Sequence, residues 1–364
     1  MIQRWKHPKA VVLIVVVYIV AALSMLAFAL TFRSRIAIKE TSLLIERLQQ
    51  DQLALAACAQ ACDALANDNN DIDCLDEPWT GWHEIEPPQT TDRSAERDDS
   101  LWQVNWKLSD ESAKINVNLA SAELLSGLKC LDEAAVASIL DWIDQDDVPN
   151  PDGAENDYYS SLEPAYSCKN ESIDNLEELL LIKGISPQIY YGSNLDEKLA
   201  RPTETGTDSA ELTDEDYRNN PPALYDLFTV YGDGRININT TPKQVLDAIP
   251  MLSDAAVSDI ISRQKSATHK FTSMDDIQNS DDFTPADKLS LMQLAKFNSN
   301  HFQLHIKVRK KARPFWCEYA ATIERQGKNT RLLSWQRKSR VVLKDIAHLD
   351  VGNSENVYSQ GIKK

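Results

Sequence analysis

Between Pro8 and Pro78 the chain contains neither glycine nor proline. That absence removes the two strongest helix breakers from the stretch. Glycine is scarce throughout, 11 residues in 364, and no phosphate-cradling loop, nucleophile elbow or dinucleotide turn is built from it. The six histidines are scattered, with no His-Glu-x-x-His zinc pattern. Carboxylates abound, but no pair stands out as acid and base, so the chain is not read as an enzyme. Basic charge is also in deficit: 38 Lys and Arg stand against 55 Asp and Glu, a formal net charge of -17. This argues against nucleic acid, whose phosphates demand Lys and Arg, and is compatible with cations such as calcium or with simple surface solvation. Six cysteines are too few for a disulfide scaffold but allow one or two bridges outside the cytoplasm.

What is present begins with an apolar run. No charged residue occurs from Ala10 to Thr31, and 22 helical residues span about 33 Å, enough to cross a bilayer core. Arg4, Lys6 and Lys9 precede the run and favour a cytoplasmic N-terminus. A cleaved secretory signal is the competing reading, with a small-residue site at Ala27-Phe28-Ala29, but the run is longer than such segments usually are. Helix-permissive residues continue to Ala66, with Leu44, Leu48, Leu55 and Cys62 or Leu65 roughly on one stripe. One helix of about 55 residues is predicted, half membrane anchor and half spine of a globular head.

Residues 67–100 are polar and read as loops. Leu101–Leu108, Phe302–Val308, Trp316–Ile323 and Leu332–Val342 read as strands, the second with clean period-two alternation. Strands before and after a helical block imply one sheet interrupted by an insertion. The block contains a repeat. Ile115-Asn116-Val117-Asn118 returns as Ile236-Asn237-Ile238-Asn239, and Glu133–Leu140 returns as Asp254–Ile261, both 121 positions on. Leu176–Leu179 matches Met274–Ile277 at a different spacing. Two related helical modules are expected, each opening on an Asn-rich segment able to cap the following helix.

Between Asp141 and Asp157 the chain places seven carboxylates in 17 positions: Asp141, Asp144, Asp146, Asp147, Asp152, Glu155 and Asp157. Pro149, Pro151 and Gly153 break any continuous helix, so the acids can converge on a loop. Like charges so crowded repel unless a cation neutralises them, and calcium suits hard, flexible oxygen donors. The spacing is not that of an EF-hand. Tyr158-Tyr159 follow as an aromatic clamp. The modules also look like helix-hairpin-helix units, so a membrane-anchored DNA-binding protein of competence type is the alternative function. Only Leu181-Ile182-Lys183-Gly184-Ile185 has the appearance of a phosphate-gripping hairpin. Cys130 and Cys168 flank the acidic loop, and a disulfide between them is expected in an oxidising compartment. Cys58 and Cys62 lie one helical turn apart, so each is left to pair with Cys74 or Cys317 or to stay reduced.

In order along the chain, Lys114–Asn118, Asp141-Trp142-Ile143-Asp144 with Gly153-Ala154-Glu155 and Tyr158-Tyr159, Leu176–Leu179 with Lys183-Gly184-Ile185, and Ile236–Thr240 resemble the K-class minor pseudopilins of type II secretion, the GspK family. The resemblance covers roughly residues 10 to 320. It implies an α+β, pilin-like fold: a long N-terminal helix packed on an antiparallel sheet, with a large inserted α-helical domain. It also implies calcium in the acidic loop and a place at the tip of a periplasmic pseudopilus. The implied partners are I- and J-class minor pseudopilins, the other pseudopilins of the fibre and the inner-membrane secretion platform. Prepilin peptidase cuts this family after a glycine. Here the aligned position is Ala10, with Val11 the first mature residue, and Val15 stands where other pilin classes carry glutamate. The expected plan is a cytoplasmic leader 1–9, a transmembrane helix 10–32 and a first α/β portion 33–112. An inserted domain 113–298 follows, with modules 113–200 and 235–298 around a polar linker 201–222, then C-terminal strands 299–346 and a disordered tail 347–364.

Overall fold

The computed structural model describes residues 8–69, 71–85, 102–192, 223–266, 268–311 and 315–338. The expected linker 201–222, the tail and the leader before Pro8 lie outside the described residues. The chain divides into two units, residues 1–56 and 57–364.

Helix α1 runs unbroken over Pro8–Ala66, 59 residues, as the missing glycine and proline allow. In the first unit the side chains from Val12 to Phe32 are exposed, and the helix is long and apolar enough to cross a membrane. In the second unit the α1 end buries Ala57, Cys58, Ala61 and Leu65. The expected leucine stripe is corrected here: Leu44, Leu48 and Leu55 are about half exposed. The buried face is the small-residue one, which lets the backbone lie close to its neighbours.

The sheet has five antiparallel strands in the order β1-β2-β7-β8-β9: His83–Ile85, Trp102–Asp110, His301–Lys310, Cys317–Gln326 and Asn329–Lys338. Strand β1 falls in a region read as loop. Its three residues are too few to show a period, and His83 is held by stacking on Trp106 at 4.1 Å. Alternate residues Val104, Trp106 and Leu108 of β2 and Phe302, Leu304, Ile306 and Val308 of β7 are buried. Trp106 Nε1 donates to Gln60 Oε1 (3.3 Å), tying the sheet to the end of α1.

Between β2 and β7 lie the helices. The first module holds α2 (Ala122–Ser126), α3 (Glu133–Ile143), α4 (Asn156–Ser160), a 3-10 turn (Leu176–Leu181) and α5 (Pro187–Tyr191). After α6 (Leu224–Leu227), the second holds α7 (Lys243–Ala248), α8 (Asp254–Lys265), α9 (Met274–Gln278) and α10 (Pro285–Leu294). Two short parallel pairs frame them. Strand β3 (Ile115–Asn116) runs beside β4 (Phe228–Thr229), and β5 (Ile236–Asn237) beside β6 (Ala295–Lys296).

The repeat has a structural equivalent that the sequence did not announce. Asn118 does not cap a helix. Its side chain brackets Ile173, donating to the Ile173 carbonyl (2.9 Å) and accepting from its amide (2.7 Å). Asn239 brackets Phe271 in the same way, at 2.8 and 3.1 Å. The capping falls to Ser121, Asp132 and Ser253, each accepting from an amide of the helix it precedes. The first clamp spans 55 residues and the second 32, so the first module carries 23 extra, and the acidic loop lies among them. The modules meet at matched positions: a methyl on Gly127 would stand 2.7 Å from Cα of Ala248, its counterpart 121 residues on.

A buried polar hub joins the second module to the sheet. Asp110 Oδ2, at the end of β2, accepts from Ser299 (2.6 Å), Thr240 (2.5 Å) and Asn237 (3.1 Å). Burial pushes its carboxyl up, and the Ser299 and Thr240 donors oppose the shift.

A candidate metal centre in the acidic loop

Helix α3 is started by Asp132, whose carboxylate accepts from the Ala135 amide (2.8 Å), and it ends at Ile143. Asp141 sits in its last turn and Asp144 at its C-cap. Asn150–Gly153 turn the chain back, and Glu155 precedes α4 as its N-cap.

Asp141 is wholly buried and organises the turn. Its Oδ1 accepts from the backbone and side-chain nitrogens of Asn150 (3.0 and 2.6 Å), and its Oδ2 from the Ala154 amide (2.6 Å). Gly153 is required here because a Cβ would overlap Asp141 Oδ2. Glu155 is only 4% exposed, yet neither of its oxygens has a hydrogen-bond partner, and Asp144 Oδ1 is likewise sealed and unpaired. One oxygen from each of Asp141, Asp144 and Glu155 falls within 4.8 Å of the others.

The electrostatics follow from this packing. Burial raises the Glu155 carboxyl, the neighbouring Cys168 thiol opposes the shift, and the charges of Asp141, Asp144 and Asp147 add to it. Burial raises Asp144 as well, with Asp146 and Asp141 adding to it. Sealed acceptors with no donor, all of one sign, are costly as they stand. A divalent cation with a preference for hard oxygen ligands removes both penalties, so the three residues fit such an ion.

The other four acids are not brought to this group. Asp146 Oδ1 accepts from the Val148 amide (2.9 Å) and Asp147 Oδ1 from Asn170 Nδ2 (3.0 Å). Asp152 sits at φ 63 and offers its carbonyl, with that of Gly153, to Lys183 Nζ, each at 3.0 Å. Asp157 lies exposed in the first turn of α4. The two tyrosines divide their work: Tyr159 is buried edge-on to Trp142 at 5.1 Å, and Tyr158 is exposed beneath the Lys183 ammonium at 5.2 Å. Sequence reasoning missed Asn170 and the inward reach of Lys183, because both lie outside the acidic run.

Cys130 and Cys168, expected to pair, stand as separate thiols in this structure. All six cysteines are free, and Cys168 Sγ is directed at the Asp141 carbonyl (3.7 Å) while Cys130 packs on the helical core. The hairpin at Lys183-Gly184-Ile185 is also committed internally. Gly184, at φ 85, lies so close to α3 that a Cβ would stand 3.0 Å from Ala135 Cβ, and the Lys183 ammonium is engaged by carbonyls. Neither group is presented to a phosphate, and the DNA-binding alternative gains no support.

A second acidic group, Asp68, Asp73 and Glu77, already holds its cation. Arg325 donates to Asp68 (2.9 Å) and Asp73 (2.6 Å), and Glu77 accepts from Cys74 and Trp79.

Residues 104–192 match the family model of type II secretion system protein K. Type II secretion system protein K of Klebsiella pneumoniae is 27% identical over 200 residues, covering 50% of this chain and 60% of that protein. The putative type II secretion system protein K of Escherichia coli K12 is 27% identical over 202 residues, covering 50% and 59%. The matched stretch is thus about three fifths of those relatives' length. A solved structure, described as the GspK-GspI-GspJ complex of the enterotoxigenic Escherichia coli type 2 secretion system, holds a chain of the same fold. Its TM-score is 0.60 at 18% identity, over 82% of this chain and 99% of that one. The fold agrees with the expected α+β architecture of a long N-terminal helix, an antiparallel sheet and inserted helices. Residues 104–192 are thus similar to type II secretion system protein K, and the chain as a whole shares the fold of the solved chain.

Proposed function

We propose that this chain is a minor pseudopilin at the tip of a type II secretion pseudopilus. There it caps the fibre and initiates its assembly with I- and J-class minor pseudopilins, supporting export of folded proteins across the outer membrane. The observation that carries the reading is the shared fold with a chain of a GspK-GspI-GspJ complex, over nearly all of that chain. The apolar start of α1 suits a single pass through the inner membrane, with the second unit in the periplasm. We read the role as structural: Asp141 is engaged by loop amides, Asp73 by Arg325 and Asp110 by hydroxyl donors. Calcium in the acidic loop, held by Asp141, Asp144 and Glu155, belongs to the same reading and is supported by the unpaired oxygens of Glu155. The test is deletion of the gene in its native host, with complementation by the full chain. Loss of exoprotein export, restored by the chain, is expected. Export that proceeds unchanged in the deletion strain overturns the proposal.

A further inference from the structure

Asn170 lies 26 positions beyond Asp144, outside the run of acids, and its backbone is left-handed at φ 50, a conformation asparagine tolerates better than most residues. Its amide nitrogen donates to the Asp146 carbonyl (2.8 Å) and to Asp147 Oδ1 (3.0 Å). Both partners are acceptors, which fixes that end of the amide as NH2 and the other as oxygen. The oxygen, Oδ1, is sealed from water and has no donor. It is not alone. Among the described residues, five buried carboxyl or carboxamide oxygens lack a partner, and four of them are Asp144 Oδ1, both Glu155 oxygens and Asn170 Oδ1. Two residues before Asn170, the Cys168 thiol reaches the Asp141 carbonyl, so this segment lies against the end of α3.

We infer that Asn170 supplies a neutral oxygen to the cation held by Asp141, Asp144 and Glu155, and that the bound ion thereby ties the segment 168–170 to the acidic loop. The inference rests on the cation reading given above. Its chemistry is that of a hard-cation site already crowded with negative charge: three carboxylates exceed the charge of a divalent ion, and a carboxamide adds a ligand without adding repulsion. It also accounts for the amide's orientation, since the NH2 end satisfies the loop on one side and leaves the oxygen without a donor. The ion then closes the 23 residues that distinguish the first module from the second, in the way that Asn118 closes the module's frame.

The test uses the full chain in detergent, titrated calorimetrically with calcium chloride, together with hydrogen exchange at the amides of residues 169–171. Asn170→Gly removes the side chain while keeping the left-handed backbone available. Asn170→Asp keeps an oxygen and loses the amide donor. Calcium is expected to bind the unmodified chain and slow exchange at 169–171. Asn170→Gly is expected to bind roughly tenfold more weakly or worse, the scale typical of losing a group that supports a metal site, with no slowing. Asn170→Asp is expected to bind within a few-fold of the unmodified chain. Equal affinity in Asn170→Gly overturns the inference while leaving the cation reading intact. So does an Asn170→Asp variant as weak as Asn170→Gly, which would assign the effect to the lost NH2 donor. No calcium binding by the unmodified chain overturns both.

Discussion

Arg325 Nη2 donates to both carboxylate oxygens of Asp73, Oδ1 at 2.6 Å, although the two residues are 252 positions apart and both are sealed from water. The same guanidinium reaches Asp68 (2.9 Å) and the Ser299 carbonyl (2.8 Å), and Ser299 in turn donates to Asp110. One cation therefore holds the loop after α1, the end of β8 and the entry to β7 together. Arg325→Met leaves Asp73 buried without its counter-charge, a loss expected to cost about 3–5 kcal/mol of unfolding free energy. Asp73→Asn in the same chain should recover part of it. Urea unfolding measures both, and a single-variant loss below about 1 kcal/mol would mean that the pair is not the anchor it is taken to be.

The Asn clamps make a graded prediction. Asn239 is fully buried and brackets Phe271 through two hydrogen bonds, while Asn118 brackets Ile173 and is only partly buried. Replacing either with alanine strands a backbone amide and a carbonyl. Asn239→Ala is expected to cost about 2–4 kcal/mol and Asn118→Ala less, since water reaches its site more readily. Equal losses in a melting series would contradict the idea that burial sets the cost.

These clamps also show where reading the sequence stopped. The strand Phe302–Val308 was legible because one buried face imposes period two, and α1 was legible because nothing in it breaks a helix. The Ile-Asn-x-Asn repeat was visible as a pattern, but its partners were not. An asparagine that brackets a residue 55 or 32 positions away leaves no local signal. The acidic loop was legible as a cluster of charge. Which three of its seven acids converge depends on the turn at Asn150–Gly153, and Asn170 enters from outside the cluster. The leucines of α1 misled because hydrophobicity marks an apolar face without saying what covers it.

Glu77 gives a dependence on pH. Its carboxyl is pushed up to about 7, by burial first and then by the charge of Asp68 beside it. A carboxyl raised in the folded state binds protons there that the unfolded chain has released, so its contribution is stabilising at low pH and is lost as pH rises through about 7. The melting temperature of the unmodified chain should therefore fall between pH 5 and pH 8, and Glu77→Gln should flatten that slope. A slope that persists unchanged in the variant would assign it to other groups.

Chelation and a single glycine test the acidic loop together. Adding EDTA is expected to lower the melting temperature of the unmodified chain. Gly153→Ala, whose Cβ would displace Asp141 from its amides, should start lower and respond little to chelator. Equal responses in the two proteins would separate the turn at Gly153 from the cation.

The central claim is membership of a tip complex, and particle mass tests it most directly. Residues 57–364 form a compact unit, and the full chain carrying it should be co-expressed with the I- and J-class minor pseudopilins proposed as its partners and measured by light scattering in detergent at micromolar concentration. A single particle with one copy of each subunit is the expected result. Three separate species, with this chain monomeric in the presence of both partners, would contradict the account.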